Sequence, residues 1–205
     1  MEGKTFHIIG ICGIGMSAIA QVLKSEGNIV QGSDRGYQEK RKVDEYEKYN
    51  GKIKRILEES GITVFLGHDA KYVINTDVVI YSRAIKADNE ELAKAKSIGI
   101  ELWSRAYALA MILKEKYVIA ISGCHGKTTT TAMIGEILYD AGLEPTILCG
   151  GIMQRFKNNV KLGKSKLFVI VAIFYYHTLP GTKMEPLLQF LHHDTYSTIQ
   201  CLPIH

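Results

Sequence analysis

Twice in this chain, a short apolar run leads directly into a glycine-rich turn and then into a segment whose apolar residues have helical spacing. The first run spans residues 6–9 and ends at Gly10. The second spans residues 117–121 and is followed by Gly123 and Gly126. A buried strand, a glycine turn and a helix in this order form the phosphate-binding unit of α/β proteins. We therefore predict an α/β fold in which helices cover both faces of parallel sheets.

Other apolar runs and helical segments alternate along the chain, as a parallel sheet requires. Further strands are predicted at residues 28–30, 62–65, 78–81, 100–103, 146–148 and 167–171, and helices at residues 17–25, 89–97 and 127–140. Residues 35–50 are expected to form an exposed loop that leads into a helix ending near Ser60. The prediction is a Rossmann-like parallel-sheet domain over residues 1–112, an incomplete P-loop α/β domain over residues 113–172 and a divergent tail over residues 173–205.

The predicted tail differs in composition from the rest of the chain. Its only charged residues are Lys183, Glu185 and Asp194, yet it holds four of the seven histidines. A surface tail would explain this change, and so would a shifted reading frame or a chimeric end, which the abruptness favours. His192 and His193 alone do not make a metal site, because no second ligand cluster accompanies them.

Charge and apolar patterning exclude several classes of protein. The net charge of +4 comes from Lys and Arg mixed with Asp and Glu, so no nucleic-acid or anionic-membrane partner is expected. We find neither a signal peptide nor an apolar run of the roughly 18 residues that a membrane span needs. The four cysteines are widely spaced without a CxxC pair, as expected of free thiols in a reducing compartment. A cytoplasmic protein is the expectation.

The second glycine turn has the chemistry of a phosphate-binding loop. Glycines permit close approach, and a helix N-terminus directs N–H groups and positive dipole charge at an anion. Lys127 supplies a cation for the β- and γ-phosphates, and the Thr128 hydroxyl can bind Mg²⁺. The motif is shortened, because Ile121 stands where the full pattern has its first glycine. A glycine turn with a solvated lysine is the structural alternative. We predict a nucleoside triphosphate site formed by Gly123, Cys124, His125, Gly126, Lys127, Thr128 and Thr129.

The first glycine turn, residues 10–15, lies where a doubly wound sheet binds the pyrophosphate of a nucleotide, and Asp34 stands where an acid binds ribose. Residues 13–18 fit the pattern G-x-G-x-x-A, so NAD or NADP binding by an oxidoreductase stays open. A nucleotide-binding module without enzymatic activity is a further alternative. Two details disfavour the oxidoreductase: Cys12 replaces the middle glycine counted from Gly10, and a second nucleotide site follows downstream. A turn without a ligand is the remaining alternative.

Together the two turns resemble the Mur ligase family over about residues 4–172. The segments that carry the resemblance are residues 7–17, 32–34, 67–68, 81–85, 88–89 and 122–133. The most similar members join L-alanine to UDP-N-acetylmuramate. A relative that attaches a whole peptide to the same sugar is the alternative within the family, and residues 67–68 and 82–89 favour the alanine-adding members.

The resemblance implies three domains: one for the UDP part of the sugar nucleotide, one for ATP with Mg²⁺, and one that helps to bind the amino acid. It implies that Lys127 is catalytic, that Thr128 binds the metal, and that His125 contacts the nucleotide or orders the loop. The substrate carboxylate would attack the γ-phosphate of ATP, and the L-alanine amine would then displace phosphate from the acyl phosphate. The implied UDP-sugar contacts are Gly13, Ile14, Gly15, Met16, Ser17, Asp34, Ser82, Ala84 and Ile85.

Some positions depart from the family pattern. Cys12 and Cys124 stand where glycine and threonine are usual, and the backbone contacts of the phosphate loop would tolerate both. The resemblance implies an acidic run with a metal-binding glutamate after residue 171, but residues 172–177 are AIFYYH. No segment of the chain matches the implied third domain. We therefore expect a chain that binds UDP-sugar or ATP without turning over.

Overall fold

The computed structural model describes residues 2–35, 50–171 and 199–203, the last of these by backbone alone. The strands are β1 (Thr5–Ile9), β2 (Ile29–Asp34), β3 (Thr63–Leu66), β4 (Val78–Tyr81), β5 (Glu101–Ser104), β6 (Tyr117–Ile121), β7 (Thr146–Met153), β8 (Asn158–Lys161), β9 (Leu167–Val171) and β10 (Ile199–Pro203). The helices are α1 (Ile14–Ser25), α2 (Lys52–Glu59), α3 (Glu90–Ser97), α4 (Arg105–Leu113) and α5 (Lys127–Asp140), with a 3-10 helix at Ala70–Val73.

The first sheet has the strand order β3-β2-β1-β4-β5, and every pair in it is parallel. Side chains alternate between its faces, so Phe6 and Ile8 pack towards α1, α2 and α4, while Ile9 packs with Leu92 of α3 on the other face. The strand order reverses at β1, which pairs with β2 on one side and β4 on the other. Crevices at such switch points, at the carboxyl ends of the strands, are where open α/β sheets bind ligands.

The second sheet has the order β10-β6-β9-β7-β8. Its central strands β6, β9 and β7 are parallel, and the outer strands β10 and β8 pair antiparallel with their neighbours. Helix α5 packs closely on β7 at Gly135, where the lack of a side chain leaves room for Ile147. A Cβ at Gly135 would lie 2.6 Å from the side chain of Ile147. Strand β10 comes from the segment predicted as a divergent tail and aligns Ile199 with Ile121 of β6.

The predicted α/β class is confirmed, and the predicted strands and helices are found with shifted ends. Helix α1 begins at Ile14 rather than at residue 17, because the glycine turn itself supplies the start of the helix. Helix α4 was missed: it follows β5 without a loop and is so apolar that its sequence lacks an amphipathic pattern. Strand β8 was missed because two asparagines interrupt the apolar alternation that marks a strand. The division into domains at residue 112 stays a prediction, and residues 36–49 and 172–198 lie outside the described part.

One apolar core joins the two sheets, and α1 lies between them. Helix α1 contacts α2 and α4 on its own sheet and β7 and β8 of the other. Phe168 and Leu148 of the second sheet belong to the same buried cluster as Ile19 and Leu23 of α1. The glycine turn that precedes α1 is therefore held in place by both sheets.

A polar cluster within this interface connects the start of α1 to β8. The Asn159 side chain is fully buried, and its Nδ2 donates to the carbonyl of Ile14 at 2.8 Å and to Ser17 Oγ at 3.1 Å. Gln21 Nε2 donates to Asn159 Oδ1 at 3.2 Å, and Asn158 Nδ2 donates to Gln21 Oε1 at 2.7 Å. Because buried amides need partners, this set fixes the register of the helix against the second sheet.

Replacing Asn159 with alanine should destabilise the fold by about 2 kcal/mol, since it leaves buried polar groups on α1 without partners. Urea unfolding followed by circular dichroism measures the change. Asn158→Ala is the matched control, because Asn158 is only partly buried and donates one side-chain hydrogen bond across the interface. Equal effects of the two substitutions would contradict the role assigned to Asn159.

Candidate functional site

The first glycine turn lies at the carboxyl end of β1, beside the switch point. Gly10 has a φ of 75°, a left-handed conformation that favours glycine. The N–H groups of Gly10 and Ile11 donate to the carbonyl of Ser33 at 2.8 and 3.0 Å, and Gly13 N–H donates to the carbonyl of Gly10 at 3.1 Å. The turn is thereby tied to the end of β2.

Helix α1 directs its N-terminus into this turn. The N–H groups of Met16 and Ser17 donate to the carbonyl of Gly13 at 3.0 and 2.8 Å. The N–H groups of Ile14 and Gly15 precede them and lie at the open end of the helix, where no intrahelical acceptor exists. An anion at this end would receive both N–H groups and the positive end of the helix dipole.

Arg105, the first residue of α4, lies at the same helix end and was not among the site residues predicted from the sequence. A Cβ atom at position 15 would be 2.9 Å from Arg105 Nη1 and 3.7 Å from its Cδ. Glycine at position 15 therefore makes room for a guanidinium, which carries a permanent positive charge suited to phosphate. No sequence pattern connects the start of α4 to the turn, so only the fold reveals this cation.

Met16 and Ser17, predicted to contact the UDP-sugar, lie beneath the turn. Both residues are buried, at 4% and 0% exposure. Ser17 Oγ donates to the carbonyl of Ile14 at 3.0 Å and accepts from Asn159. Both residues lie on the side of the turn that faces the second sheet, where they support the turn.

Asp34, at the end of β2, lies beside the turn. Its Oδ2 accepts from the N–H of Cys12 at 2.9 Å. A cavity of about 260 Å³ begins here and extends between the carboxyl ends of β1 to β4. It is lined by Gly10, Asp34, Arg35, His68, Ala84, Ile85, Lys86 and Asn89.

Three predicted UDP-sugar residues thus line one cavity: Asp34, Ala84 and Ile85. Ser82, which precedes Ala84 and Ile85 in the chain, accepts hydrogen bonds from both of them. Its Oγ accepts from Ala84 N–H at 3.3 Å, and its carbonyl accepts from Ile85 N–H at 3.1 Å. These hydrogen bonds stabilise the turn after β4, and the turn places Ile85 beside Gly10. A Cβ at position 10 would be 3.6 Å from Ile85 Cδ1.

Behind the cavity lies a buried polar cluster that the sequence analysis did not identify. Glu91 of α3 and His7 of β1 are both fully buried. Glu91 Oε2 accepts from Ser33 Oγ at 2.7 Å and lies 2.9 Å from His68 Nδ1, while Oε1 is 3.3 Å from His7 Nε2. The last contact is electrostatic rather than an aligned hydrogen bond. A histidine inside the apolar run of β1 was the one available signal.

The cluster keeps the Glu91 carboxyl ionised. Burial by itself raises the pKa of this carboxyl, but contacts with His68, His7 and Ser33 outweigh burial and lower the pKa from 4.5 to about 2. Because the pKa is lower in the folded state, the resulting stabilisation is present above pH 4.5 and is lost as the pH falls towards 2.

We accordingly expect the fold to lose about 2 kcal/mol of stability through Glu91 between pH 7 and pH 3. Urea midpoints measured across this range test the expectation. In Glu91→Gln the stability should depend less on pH over the same window, whereas in Glu90→Gln, on the exposed side of α3, the dependence should match that of the unchanged chain. Parallel pH profiles for Glu91→Gln and the unchanged chain would refute the assignment.

The second glycine turn follows β6 and opens α5. Gly123 has a φ of 138° and Gly126 a φ of 75°, both conformations that favour glycine. Lys127 Nζ folds back into the loop and donates to the carbonyl of Gly123 at 2.6 Å and to that of Cys124 at 3.3 Å. The first backbone bond of the helix runs from Thr130 N–H to Gly126 at 2.9 Å, so the preceding N–H groups face the loop.

The predicted residues of this loop are accessible. Cys124, His125, Thr128 and Thr129 are exposed, and Lys127 is partly exposed. Thr131, the last threonine of the run, is instead buried within the sheet packing. Most residues of the loop are therefore open to a ligand, as a phosphate loop requires.

Strand β7 approaches the loop through two further glycines. A Cβ at Gly150 would be 2.8 Å from Thr128 Oγ1, and one at Gly151 would be 3.2 Å from Thr128 Cγ2. Cys149 Sγ donates to the carbonyl of Thr128 at 3.4 Å. Thr128 thus packs against β7, and glycines at positions 150 and 151 leave room for its side chain.

Three of the four cysteines lie among the residues whose side chains the structure describes. Cys124 and Cys149 are free thiols. Across residues 2–35 and 50–171, no cluster of His, Cys, Asp and Glu suits a metal ion, and His192 and His193 fall outside the described residues. In the same part of the chain, no helix is long and apolar enough to cross a membrane.

Comparison with known proteins gives several matches that each cover most of this chain. The chain is 50% identical over 169 residues to the UDP-N-acetylmuramate–L-alanine ligase of Hydrogenobaculum sp. (strain Y04AAS1), covering 82% of this chain and 35% of the relative. It is 44% identical to the ligase of that name from Aquifex aeolicus, covering 82% of this chain and 34% of that protein. The chain therefore spans about a third of the length of these curated relatives.

Solved structures give the same result. The UDP-N-acetylmuramate–alanine ligase of Thermotoga maritima superposes with a TM-score of 0.67 at 31% identity, over 82% of this chain and 36% of that one. A UDP-N-acetylmuramate:L-alanyl-γ-D-glutamyl-meso-diaminopimelate ligase from Neisseria meningitides superposes with a TM-score of 0.70 at 29% identity, over 83% of this chain and 52% of that one.

The sequence profile described as "Mur ligase family, catalytic domain" matches residues 5–44 and 45–117, which is more than half of the chain. The matched residues contain the first glycine turn, the cavity and the buried cluster beneath it. Since profile, relatives and structures agree with the site geometry, this chain belongs to the Mur ligase family.

Proposed function

We propose that this chain binds UDP-N-acetylmuramate at the first glycine turn and MgATP at the second, as the nucleotide-binding part of an alanine-adding Mur ligase. One observation carries the proposal: two glycine turns, each opening a helix N-terminus, lie on two sheets that share α1. An oxidoreductase that uses NAD or NADP needs one such site, whereas a ligase that joins a nucleotide sugar to an amino acid at the expense of ATP needs two.

In the first site, the pyrophosphate would lie at the N-terminus of α1. The N–H groups of Ile14 and Gly15 and the Arg105 guanidinium supply hydrogen bonds and charge there. Asp34 would accept from a ribose hydroxyl, and the base would occupy the adjoining cavity between Ile85 and His68. A volume of about 260 Å³ suits a single flat ring better than the whole sugar nucleotide.

In the second site, the residues fit the triphosphate of ATP with Mg²⁺. Lys127 already lies within the loop, and phosphate oxygens would replace the carbonyls of Gly123 and Cys124 as its acceptors. Thr128 is exposed, and its hydroxyl would bind Mg²⁺, which supplies charge neutralisation at the γ-phosphate. Gly150 leaves the space beside that hydroxyl open.

The reaction we assign to the family site is a ligation in two steps. The carboxylate of the sugar nucleotide attacks the γ-phosphorus of ATP and releases ADP, and the amine of L-alanine then displaces phosphate to form the amide. Lys127 would stabilise charge on the transferred group. Residues 172–177 are AIFYYH where the resemblance implies a metal-binding glutamate, so we propose that this chain binds both nucleotides without completing the ligation.

Isothermal titration calorimetry tests the first site. UDP-N-acetylmuramate should bind with a stoichiometry of one, and NADH should give no saturable heat. Heat with NADH and none with the UDP-sugar would instead favour the oxidoreductase. Phosphate release that requires both L-alanine and the UDP-sugar would show that the chain completes the ligation and would overturn the binding-only proposal.

A further inference from the structure

A bulge interrupts the hairpin of β7 and β8. The register of the pairing shifts between Leu148 and Met153, so residues 149–152 of β7 stand opposite Asn159 of β8. Residues 149–152 form the β7 bulge. Bulges bend the strands that carry them, re-aim side chains and are frequent beside functional sites. Here the two faces of the bulged hairpin contact different glycine turns.

One face of the β7 bulge contacts the phosphate loop. Cys149 packs in the cluster on the α5 side of the sheet, and its Sγ donates to the carbonyl of Thr128 at 3.4 Å. A Cβ at Gly150 would be 2.8 Å from Thr128 Oγ1, and one at Gly151 would be 3.2 Å from Thr128 Cγ2. Because groups packed this closely do not move independently, a shift of Thr128 on binding Mg²⁺ would displace the bulge or be resisted by it.

The other face of the hairpin contacts the first glycine turn. Ile152 of the bulge packs against the core that contains α1. Asn159, opposite the bulge, reaches the start of that helix, where its Nδ2 donates to the carbonyl of Ile14 at 2.8 Å and to Ser17 Oγ at 3.1 Å. The hairpin therefore connects Thr128 of the second turn to the first turn of α1.

The contact with Ile14 acts on a proposed phosphate donor. The Ile14 carbonyl shares a peptide unit with Gly15 N–H, one of the two N–H groups at the open end of α1. In a planar trans peptide the C=O and N–H bonds point in opposite directions. By holding the carbonyl, Asn159 fixes the direction in which Gly15 N–H points, and polarisation of the peptide strengthens this N–H as a donor.

Asn159 is itself held firmly. Its side chain is fully buried, and Gln21 Nε2 donates to its Oδ1 at 3.2 Å while its Nδ2 donates to α1. The amide cannot rotate without leaving buried polar groups unpaired. A movement of β8 at Asn159 is therefore passed on to the start of α1.

We propose that Asn159 is a positioning residue for the pyrophosphate of the UDP-sugar, and that the β7 bulge couples it to the phosphate loop, so that each nucleotide binds more tightly when the other is present. MgATP orders Thr128 and the bulge, and the UDP-sugar then has less left to order. Without a nucleotide at the second turn, the UDP-sugar affinity is that of the first site alone. The proposal rests on the proposed function, since it takes the two turns to bind these two nucleotides.

Two calorimetric titrations of the unchanged chain test the coupling. UDP-N-acetylmuramate should bind about fivefold more tightly when the chain is saturated with MgAMP-PNP, a non-hydrolysable form of MgATP. The reverse titration, MgAMP-PNP into the chain with and without the UDP-sugar, should give the same factor, because coupling between two binding sites is reciprocal.

Asn159→Ala tests the positioning role. The affinity for UDP-N-acetylmuramate should fall about tenfold, as loss of one well-placed hydrogen bond implies, and the gain from MgAMP-PNP should disappear. The affinity for MgAMP-PNP alone should be unchanged, whereas a general loss of packing would weaken both nucleotides. Asn158→Ala is the matched control, because Asn158 Nδ2 donates to Gln21 and not to the peptide of Ile14, so affinity and coupling should both persist.

The amide signal of Gly15 reports the coupling without the variant at Asn159. In ¹H–¹⁵N spectra of the unchanged chain, MgAMP-PNP alone should shift this signal and leave that of Gly99, at the end of α3, in place. The shift should be absent in Lys127→Ala, which shows that it originates at the second turn.

Equal UDP-sugar affinities with and without MgAMP-PNP, in a chain that binds both, would overturn the coupling and leave the proposed function standing. An undiminished UDP-sugar affinity in Asn159→Ala would overturn the positioning role. Absence of saturable binding by either nucleotide would overturn the proposed function itself. If Asn159→Ala does not fold, the two titrations and the Gly15 signal of the unchanged chain decide the question.

Discussion

Lys127→Ala should lower the affinity of the chain for MgATP by about 100-fold, equivalent to about 3 kcal/mol, because a charge-assisted contact to phosphate is lost from a partly enclosed loop. Lys127 Nζ lies 2.6 Å from the carbonyl of Gly123, so it is already held within the turn where phosphate oxygens would lie. The substitution also frees that carbonyl to solvent without creating a buried unpaired group. Equilibrium titration with a fluorescent ATP analogue measures the effect.

Lys164→Ala is the control for Lys127, because it removes one lysine from the same region of the chain at a side chain that is 87% exposed. It should leave the ATP affinity unchanged. Neither substitution should alter binding of UDP-N-acetylmuramate, because the first turn lies on the other sheet. If Lys127→Ala binds ATP as tightly as the unchanged chain, residues 123–129 are not the ATP site.

Gly32→Ala should destabilise the fold by about 4 kcal/mol or more, since it forces new atoms into a filled space. A Cβ at this position would overlap the carbonyl oxygen of Ile8 and would lie 2.7 Å from Ile11 Cδ1. Gly32 pairs with Ile8 in the parallel ladder of β1 and β2, and Ile11 belongs to the first glycine turn. The substitution must therefore separate two central strands or displace the turn.

Urea unfolding of Gly32→Ala measures this loss, and Gly99→Ala provides the comparison. Gly99 has a φ of 75° and nothing within 4 Å of its Cβ position, so alanine there should cost only about 1 to 2 kcal/mol for the left-handed backbone. If the two variants lose similar stability, close packing at Gly32 is not what holds the turn against the sheet.

Local patterns of sequence were sufficient for the fold class and for both glycine turns. A positive φ or the start of a helix favours glycine at one position, so the turns can be recognised from Gly10, Gly13, Gly123 and Gly126. The same holds for Lys127, which follows its glycine directly. Such features need no knowledge of what packs against them.

Features that depend on contacts distant in sequence were not predictable in this way. His7 of β1, His68 in the loop after β3 and Glu91 of α3 meet only when the sheet and α3 have formed. Arg105 reaches the first turn because α4 packs beside α1. Ser17, predicted to contact the UDP-sugar, also accepts a hydrogen bond from Asn159 of the second sheet, and no local pattern indicated that contact.

The proposed function requires one chain to hold two separate nucleotide sites. Calorimetric titration of MgATP into the chain already saturated with UDP-N-acetylmuramate measures whether both are present. We expect one equivalent of ATP to bind while the UDP-sugar stays bound, and this second heat to be lost in Lys127→Ala. Displacement of the UDP-sugar by ATP, or no heat beyond dilution, would contradict the proposed function.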